Sequence, residues 1–276
     1  MTLYLLFEQL EAGRLKLDSE MVVSSRAAAQ SPSKLNVRAG STIDVEDAIK
    51  AIVTRSANDV AVVIAETVGG TEERFADMMT RKAHALGMSR TNFENANGLP
   101  NPRQVTTARD LSILGRAIQE RFPREYKYFS TRSFTYKGET IGNHNRLLGR
   151  VEGVDGIKTG YTRASGFNLL TSLHRDDRYL IGVVLGGSSG ASPSGSSASS
   201  PCSRACVATA PSYRHSCKIN SSADAQVNHS ALHGPPAHQR RDTCFSPHFL
   251  TGTERRTSLT APAQRVVCAD GSYRPA

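Results

Sequence analysis

Two short motifs in this chain bring together hydroxyl, amide and amine groups of the kind that serve acyl chemistry. Ser56-Ala57-Asn58 lies between two apolar stretches of helical period, and Lys158-Thr159-Gly160 follows Gly153-Val154-Asp155-Gly156-Ile157. A serine oxygen can attack a carbonyl or pass a proton, and a neighbouring lysine can manage that proton. Each triplet alone arises often by chance. Taken singly, Ser56 reads as a helix N-cap, Asp59 as a first-turn carboxylate and Lys158 as a surface lysine ahead of a strand. His84, His144 and His174 read as surface or loop histidines outside this chemistry. Cys202-x3-Cys206 and His229-x3-His233 invite a zinc reading, but their spacing departs from the usual fingers. No apolar residues are arranged to close a small core around a metal, so no metal and no organic cofactor is expected.

The elements that must position the two motifs follow from periodicity and punctuation. Leu3 to Leu10 reads as a helix stopped by Gly13, and Val45 to Val53 as a helix with Asp44 as N-cap. Val60 to Val68 reads as a helix closed by Gly69-Gly70, and Thr71 as the cap of another running to about Leu86. Asn95 to Pro100 is loop, and Thr107 to Gln119 is helix. Phe167 to Leu173 and Tyr179 to Leu185 are β-prone runs joined by His174-Arg175-Asp176-Asp177-Arg178, a hairpin signal that Lys158 immediately precedes. Helices first and strands last point to an α+β layer architecture.

Composition bounds the rest. The 276 residues carry a net charge of +9, with 38% hydrophobic residues and no tryptophan. Residues 1–187 hold 25 basic and 21 acidic side chains, and residues 188–276 hold 9 and 4. The basic residues form no continuous stripe and are not interleaved with aromatics, which argues against nucleic acid as a partner. No apolar run reaches the length of a transmembrane segment, and Met1 to Phe7 lacks the basic start and cleavage site of a signal peptide. Near Gly187 the chain changes character. Residues 188–200 are Ser, Gly, Ala and Pro only, and residues 188–276 hold all five cysteines and eight of the twelve prolines. Such a segment cannot bury enough surface to offset its ordering entropy, so 188–276 is expected to be a low-complexity, disordered tail. An odd number of cysteines there does not read as a disulfide framework.

Taken together and in order, the two triplets match two of the three signatures of the serine acyl-transferases that include penicillin-binding proteins. The match extends along residues 1–187. Ser56-Ala57-Asn58-Asp59 with Ala65-Glu66 and Gly69-Gly70 resembles the low-molecular-mass D-alanyl-D-alanine carboxypeptidases. Lys82-Ala83, Leu86-Gly87-Met88, Thr91-Asn92-Phe93 and Gly98-Leu99-Pro100 continue the resemblance. So do Thr106 to Leu111, Asn145 with Leu147-Leu148, and the run from Gly153 to Thr162. The resemblance implies the DD-peptidase/β-lactamase-like fold, a helical cluster packed on an antiparallel sheet. It implies a serine-type carboxypeptidase of the bacterial envelope that removes the terminal D-alanine from peptidoglycan stem peptides, with β-lactam antibiotics as inhibitors of intact relatives. By resemblance, Ser56 relays a proton towards the leaving amine and Asn58 orients the catalytic lysine or holds the substrate amide. Lys158 and Thr159 bind the terminal carboxylate, and Gly160 lets the substrate backbone lie against the strand. A backbone N–H of this strand contributes to the oxyanion hole.

The family's nucleophile opens a helix in an S-x-x-K motif, and the resemblance places that motif before Met1, with the family's first strands further upstream. The chain is then expected to be inactive, with an uncovered sheet edge and poor solubility. Ser31-Pro32-Ser33-Lys34 has the right spacing, but Leu35 to Gly40 carries no helical apolar stripe, and the segment resembles the loop before the family's "GSTI" stretch, here Gly40-Ser41-Thr42-Ile43. The resemblance ends at about Ser192, where the family continues with a basic residue and a closing helix and this chain has Pro193. Two other readings are a non-catalytic relative that binds stem peptides through the Lys158 strand, and a related serine β-lactamase, against which the extended carboxypeptidase-like matches argue.

Overall fold

The computed structural model describes residues 1–175, 178–188, 204–209 and 216–217. In chain order the elements begin with α1 (Thr2–Glu11), β1 (Glu20–Val22), α2 (Ser25–Ala28), β2 (Thr42–Asp44), α3 (Val45–Arg55), α4 (Asn58–Gly69) and α5 (Glu72–Ala85). There follow α6 (Ala108–Arg121), α7 (Pro123–Tyr126), a 3-10 turn (Lys127–Ser130), and β3 (Ser133–Tyr136) with β4 (Glu139–Gly142). The last strands are β5 (Val154–Thr162), β6 (Gly166–Arg175), β7 (Arg178–Gly187), β8 (Arg204–Thr209) and β9 (Ser216–Cys217).

Helix α4 is the centre of the helical layer. Val60 to Ala65 are all buried, so the helix has no solvent face, as a helix apolar all round must be. It packs against α1, α2, α3 and α5 and against β1. Helix α1 brings Leu3, Tyr4, Leu5, Leu6 and Phe7 into the same core. The Tyr4 and Phe7 rings stand edge-on to Phe122 at 5.0 and 5.6 Å between centroids, a favoured arrangement for aromatic pairs. The cap at Thr71 is made as expected, accepting from Arg74 N at 3.2 Å, while Thr107, expected inside its helix, is the N-cap of α6 and accepts from Asp110 N at 3.1 Å. Asp44 occupies the N-cap position of α3 but makes no capping bond with its side chain.

The largest sheet is antiparallel in the order β5-β6-β7-β8-β9, which leaves one edge of β5 unpaired among the described residues. Helix α6 lies across it through Gly115: a Cβ there would meet Ile157 of β5 at 3.1 Å, Leu170 of β6 at 3.4 Å and Ile181 of β7 at 3.6 Å. The α+β layering expected from the helix-then-strand order is the observed one. The Phe167 and Tyr179 runs form the hairpin β6–β7, paired from Arg175↔Arg178 onward.

Three local expectations need correction. Lys158 does not precede a strand but sits within β5, which pairs with β6 from Tyr161↔Phe167 to Val154↔Leu173. Alternation in β5 is masked by Gly156, Lys158 and Gly160, so the run shows no apolar stripe. Ser56 is not the N-cap of the next helix; it is the left-handed residue that closes α3. The hairpin β3–β4 carries a two-residue turn, Lys137-Gly138, with both φ angles positive (47° and 85°), the geometry that matches strand twist. Within 188–276, expected to be a disordered tail, β8 forms and pairs with Leu180 to Leu185 of β7. The expectation of disorder for the rest of that segment, and the zinc reading on Cys202, His229 and His233, lie outside the described residues.

Candidate active site

The site forms where the end of α3 meets the middle of β5. Helix α3 stops because Ser56 adopts φ 57° and ψ 45°, a left-handed conformation that a non-glycine residue holds at a cost. Its N–H still bonds Ile52 O at 3.2 Å. The chain then turns through Ala57 alone into α4. Ser56 is half-buried, and its hydroxyl faces the sheet rather than capping a helix.

The first turn of α4 fastens a loop beneath Ser56. Asn58 N donates to Ser33 O at 2.8 Å, and Asn58 Nδ2 donates to Ser31 O at 2.9 Å. The fully buried Asp59 carboxylate accepts from Leu35 N at 2.9 Å, Val37 N at 3.2 Å and Val60 N at 3.0 Å. A buried carboxylate needs such partners, and here they shape the loop 31–37. Asp59 is therefore more than a first-turn charge. Asn58 meets the loop rather than Lys158. The Ser31–Lys34 segment is not helical, and Lys34 Nζ donates to Ala28 O at 3.1 Å rather than to the Ser31 hydroxyl.

From the sheet side, Lys158 Nζ donates to Ser56 Oγ in a short contact and to Thr159 O at 2.6 Å. Two residues far apart in sequence are thus in direct contact, as the paired triplets implied. Burial of the ammonium lowers the Lys158 pKa from 10.5 to about 8, because withdrawal from water disfavours the charged form. Thr159 is half-buried beside it and Gly160 is exposed. A Cβ on Gly160 would meet nothing within 4 Å, so no neighbour within the described chain calls for glycine there. With the free edge of β5 alongside, the strand presents unpaired backbone N–H and C=O groups to an extended peptide.

One matched segment has a place in the site that the sequence did not show. The loop 143–148 bridges both halves of the site: His144 N donates to Thr54 O at 3.2 Å, and Asn145 Nδ2 to Gly156 O at 3.4 Å. Asn145 is buried and also accepts from Leu147 N at 3.1 Å, which explains an asparagine in an otherwise polar loop. Burial, Lys158 and Arg55 together lower the His144 pKa from 6.5. Its signal was its neighbour Asn145, already part of the matched pattern. His84 bonds Thr91 O at 2.9 Å and His174 stacks on Tyr179 at 4.1 Å, both away from the site. Among the described residues no cluster of three or more His, Cys, Asp or Glu could hold a metal.

The arrangement can hold an anion beside Lys158 and Thr159, align an extended backbone along β5, and pass a proton through Ser56 and Lys158. Comparison with known proteins narrows this. Residues 1–189 match the family model described as D-alanyl-D-alanine carboxypeptidase. The carboxypeptidase DacC of Escherichia coli is 35% identical over 193 residues, covering 67% of this chain and 48% of that protein. DacF of Bacillus subtilis is 33% identical, covering 68% and 49%. The chain spans about half the length of the curated relatives it matches. Among solved structures, penicillin-binding protein 5 from Haemophilus influenzae aligns with a TM-score of 0.66 at 30% identity, covering 68% of this chain and 56% of that one. Penicillin-binding protein D2 from Listeria monocytogenes, solved in its cefotaxime-bound form, aligns with a TM-score of 0.61 at 28% identity, covering 68% and 77%.

Proposed function

The chain belongs to the D-alanyl-D-alanine carboxypeptidase family of serine peptidases, and from that premise we propose that its site binds peptidoglycan stem peptides by their D-Ala-D-Ala terminus. The observation that carries this reading is the direct contact between Lys158 Nζ and Ser56 Oγ beside the free edge of β5. Lys158 and Thr159 take the terminal carboxylate. The peptide backbone pairs with β5 past Gly160, where a side chain would stand in its way. A backbone N–H of the same strand polarises the scissile carbonyl.

Ser56 and Lys158 supply the proton relay for acyl transfer. The ammonium donates to Ser56 Oγ, so the serine's own proton is free to point towards the leaving amine. A Lys158 pKa of about 8 keeps the group charged at neutral pH while leaving its proton easy to move. Asn58 and Asp59, directly after Ser56, fasten the loop 31–37 to the start of α4. Ser31 is not the acyl acceptor, because it lies in a loop whose lysine is engaged elsewhere. The substrate places the working protein in the cell envelope; among the described residues no helix is long and apolar enough to cross a membrane. A relative that binds stem peptides without cleaving them would use the same residues.

Two measurements test the reading. A peptide ending in D-Ala-D-Ala should bind the chain in a calorimetric titration, and the same peptide ending in L-Ala-L-Ala should bind at least tenfold less tightly. Equal binding of the two overturns the proposed substrate. A fluorescent penicillin should leave no covalent adduct at Ser31; an adduct mapped there overturns the assignment of that loop.

A further inference from the structure

Strand β5 does not run straight into the site. Its pairing with β6 begins at Val154↔Leu173 and resumes at Gly156↔Ser172, so Asp155 is one residue more than β6 can match. An extra residue in one strand bends it and re-aims the side chains beyond it. Here the consequence falls on Lys158. It lies opposite Leu170, whose side chain is buried beneath Gly115 of α6, and residues directly opposite each other in a ladder share a face. An unbroken ladder counted from Val154↔Leu173 would set Lys158 opposite Leu169 instead. Successive residues of a strand face opposite ways, so the amine would then leave the sheet on the face away from α6 and Ser56.

The bulge is gripped from several sides by groups that have no part in the proton relay. Tyr126, at the end of α7, donates its hydroxyl to Asp155 Oδ1 at 3.0 Å. A Cβ on Gly156 would meet Phe129 Cβ at 3.0 Å and the Tyr126 oxygen at 3.3 Å, so these two residues press directly on the backbone of the bulge. Gly156 O accepts from Thr171 Oγ1 of β6 at 2.9 Å and from Asn145 Nδ2 at 3.4 Å. Opposite Gly156, the fully buried Ser172 accepts from Gln119 Nε2 of α6 at 2.6 Å. Burial, first among several causes, lifts the Tyr126 hydroxyl above its ordinary 10, so it remains a donor at neutral pH. We infer that Tyr126 and Asp155 are positioning residues of this site, locking the one-residue bulge that turns Lys158 towards Ser56. The inference deepens the stem-peptide reading, on which its affinity measurement rests and its spectroscopic ones do not. Both residues act through Lys158, by fixing the face of the sheet from which its amine leaves.

The experiment compares Tyr126→Phe, Asp155→Ala, Asp155→Asn and the double variant Tyr126→Phe/Asp155→Ala with the wild-type chain. Calorimetry reads the affinity for an N-acetylated peptide ending in D-Ala-D-Ala, and the ε-carbon NMR signal of Lys158 reads its titration midpoint. Tyr126→Phe and Asp155→Ala should each weaken peptide binding about tenfold, the effect of one lost bond to a charged group. Asp155→Asn keeps a carbonyl oxygen for Tyr126 and should stay within about twofold of wild type. The two residues act through one bond, so the double variant should bind no more weakly than either single one. In both damaging variants Lys158 is released towards water, and its midpoint should rise from about 8 towards 10.5. The sign separates aim from simple electrostatics: losing a nearby carboxylate would lower the midpoint, and Tyr126→Phe changes no charge. In the wild type, NOE contacts across the ladder should join Lys158 to Leu170 rather than Leu169, and the reverse overturns the inference. Circular dichroism melts check folding; if Asp155→Ala fails to fold, Tyr126→Phe against wild type decides alone. A folded Tyr126→Phe with an unmoved midpoint, or with undiminished affinity for a peptide that the wild type binds, overturns the inference. So does a loss that is additive in the double variant or as large in Asp155→Asn. If the wild type binds no peptide, the stem-peptide reading falls and the midpoints alone decide the inference.

Discussion

Replacing Lys158 by methionine should make the folded chain more stable while removing its affinity for the peptide. The lysine is held in a half-buried position where its ammonium is withdrawn from water, and its pKa falls from 10.5 to about 8. Each pH unit of such a fall is worth about 1.4 kcal/mol, so the charged form costs the folded state about 3 kcal/mol at neutral pH relative to the unfolded chain. That figure reflects burial alone, and the bonds to Ser56 Oγ and Thr159 O offset part of it. Methionine is near in length and unbranched, so it removes the charge without opening a cavity. After allowance for two acceptors left with weaker partners, a gain of about 1–3 kcal/mol is expected. The pH dependence supplies the sharper test. Between pH 8 and 10.5 the unfolded lysine holds more protons than the folded one, so wild-type stability rises with pH across that window. The difference between Lys158→Met and wild type, measured by urea unfolding, should be constant below pH 8 and should shrink towards zero near pH 10.5. A variant less stable than wild type at pH 7, or a difference that does not change with pH, refutes the argument that the site holds its lysine at a cost.

Other outcomes follow from the same geometry. Ser56→Gly should be about 1 kcal/mol more stable than Ser56→Ala in urea unfolding, because both lose the hydroxyl and only alanine keeps the left-handed strain. Equal stabilities would place the strain elsewhere. Asp59→Ala should cost about 3 kcal/mol and abolish amide-exchange protection at Leu35 and Val37, which lose a charged acceptor. Protection that persists would mean the loop holds itself. Gly160→Val should leave the unfolding midpoint within about 0.5 kcal/mol of wild type, as surface changes usually do, since a Cβ there meets no neighbour. The same variant should weaken D-Ala-D-Ala peptide binding more than tenfold in calorimetry; undiminished binding would remove the peptide from that edge.

The sequence was legible wherever one short-range rule decided the outcome. The threonine cap at Thr71, the helical period of α3 and α4, and the apolar runs of β6 and β7 needed nothing from distant residues. The contact between Ser56 and Lys158 was legible only through resemblance, because no periodicity links an α3 terminus to a strand so far along the chain. What escaped was set by tertiary contact. Ser56 looked like a cap because serine favours caps, yet the demand to aim its hydroxyl at Lys158 fixes it in a left-handed conformation. Strand β5 was hidden because its glycines and lysine serve the site rather than the core. Asp59 looked like helix electrostatics and proved to be the anchor of a loop more than twenty residues earlier.

Gly115 has no polar atom beyond its backbone and touches nothing in the cleft, yet it gauges the opening between the two halves of the site. At that residue α6 rests on Ile157, Leu170 and Ile181, with room for a hydrogen atom and little more. Ile157 is the residue before Lys158. A methyl group at 115 would press first on the end of the Ile157 side chain, which would have to give by a few tenths of an ångström next to Lys158. Proton transfer and carboxylate capture both fall steeply with such a displacement. The reach of the lysine is thus open to tuning from inside the protein, at a position no ligand ever meets.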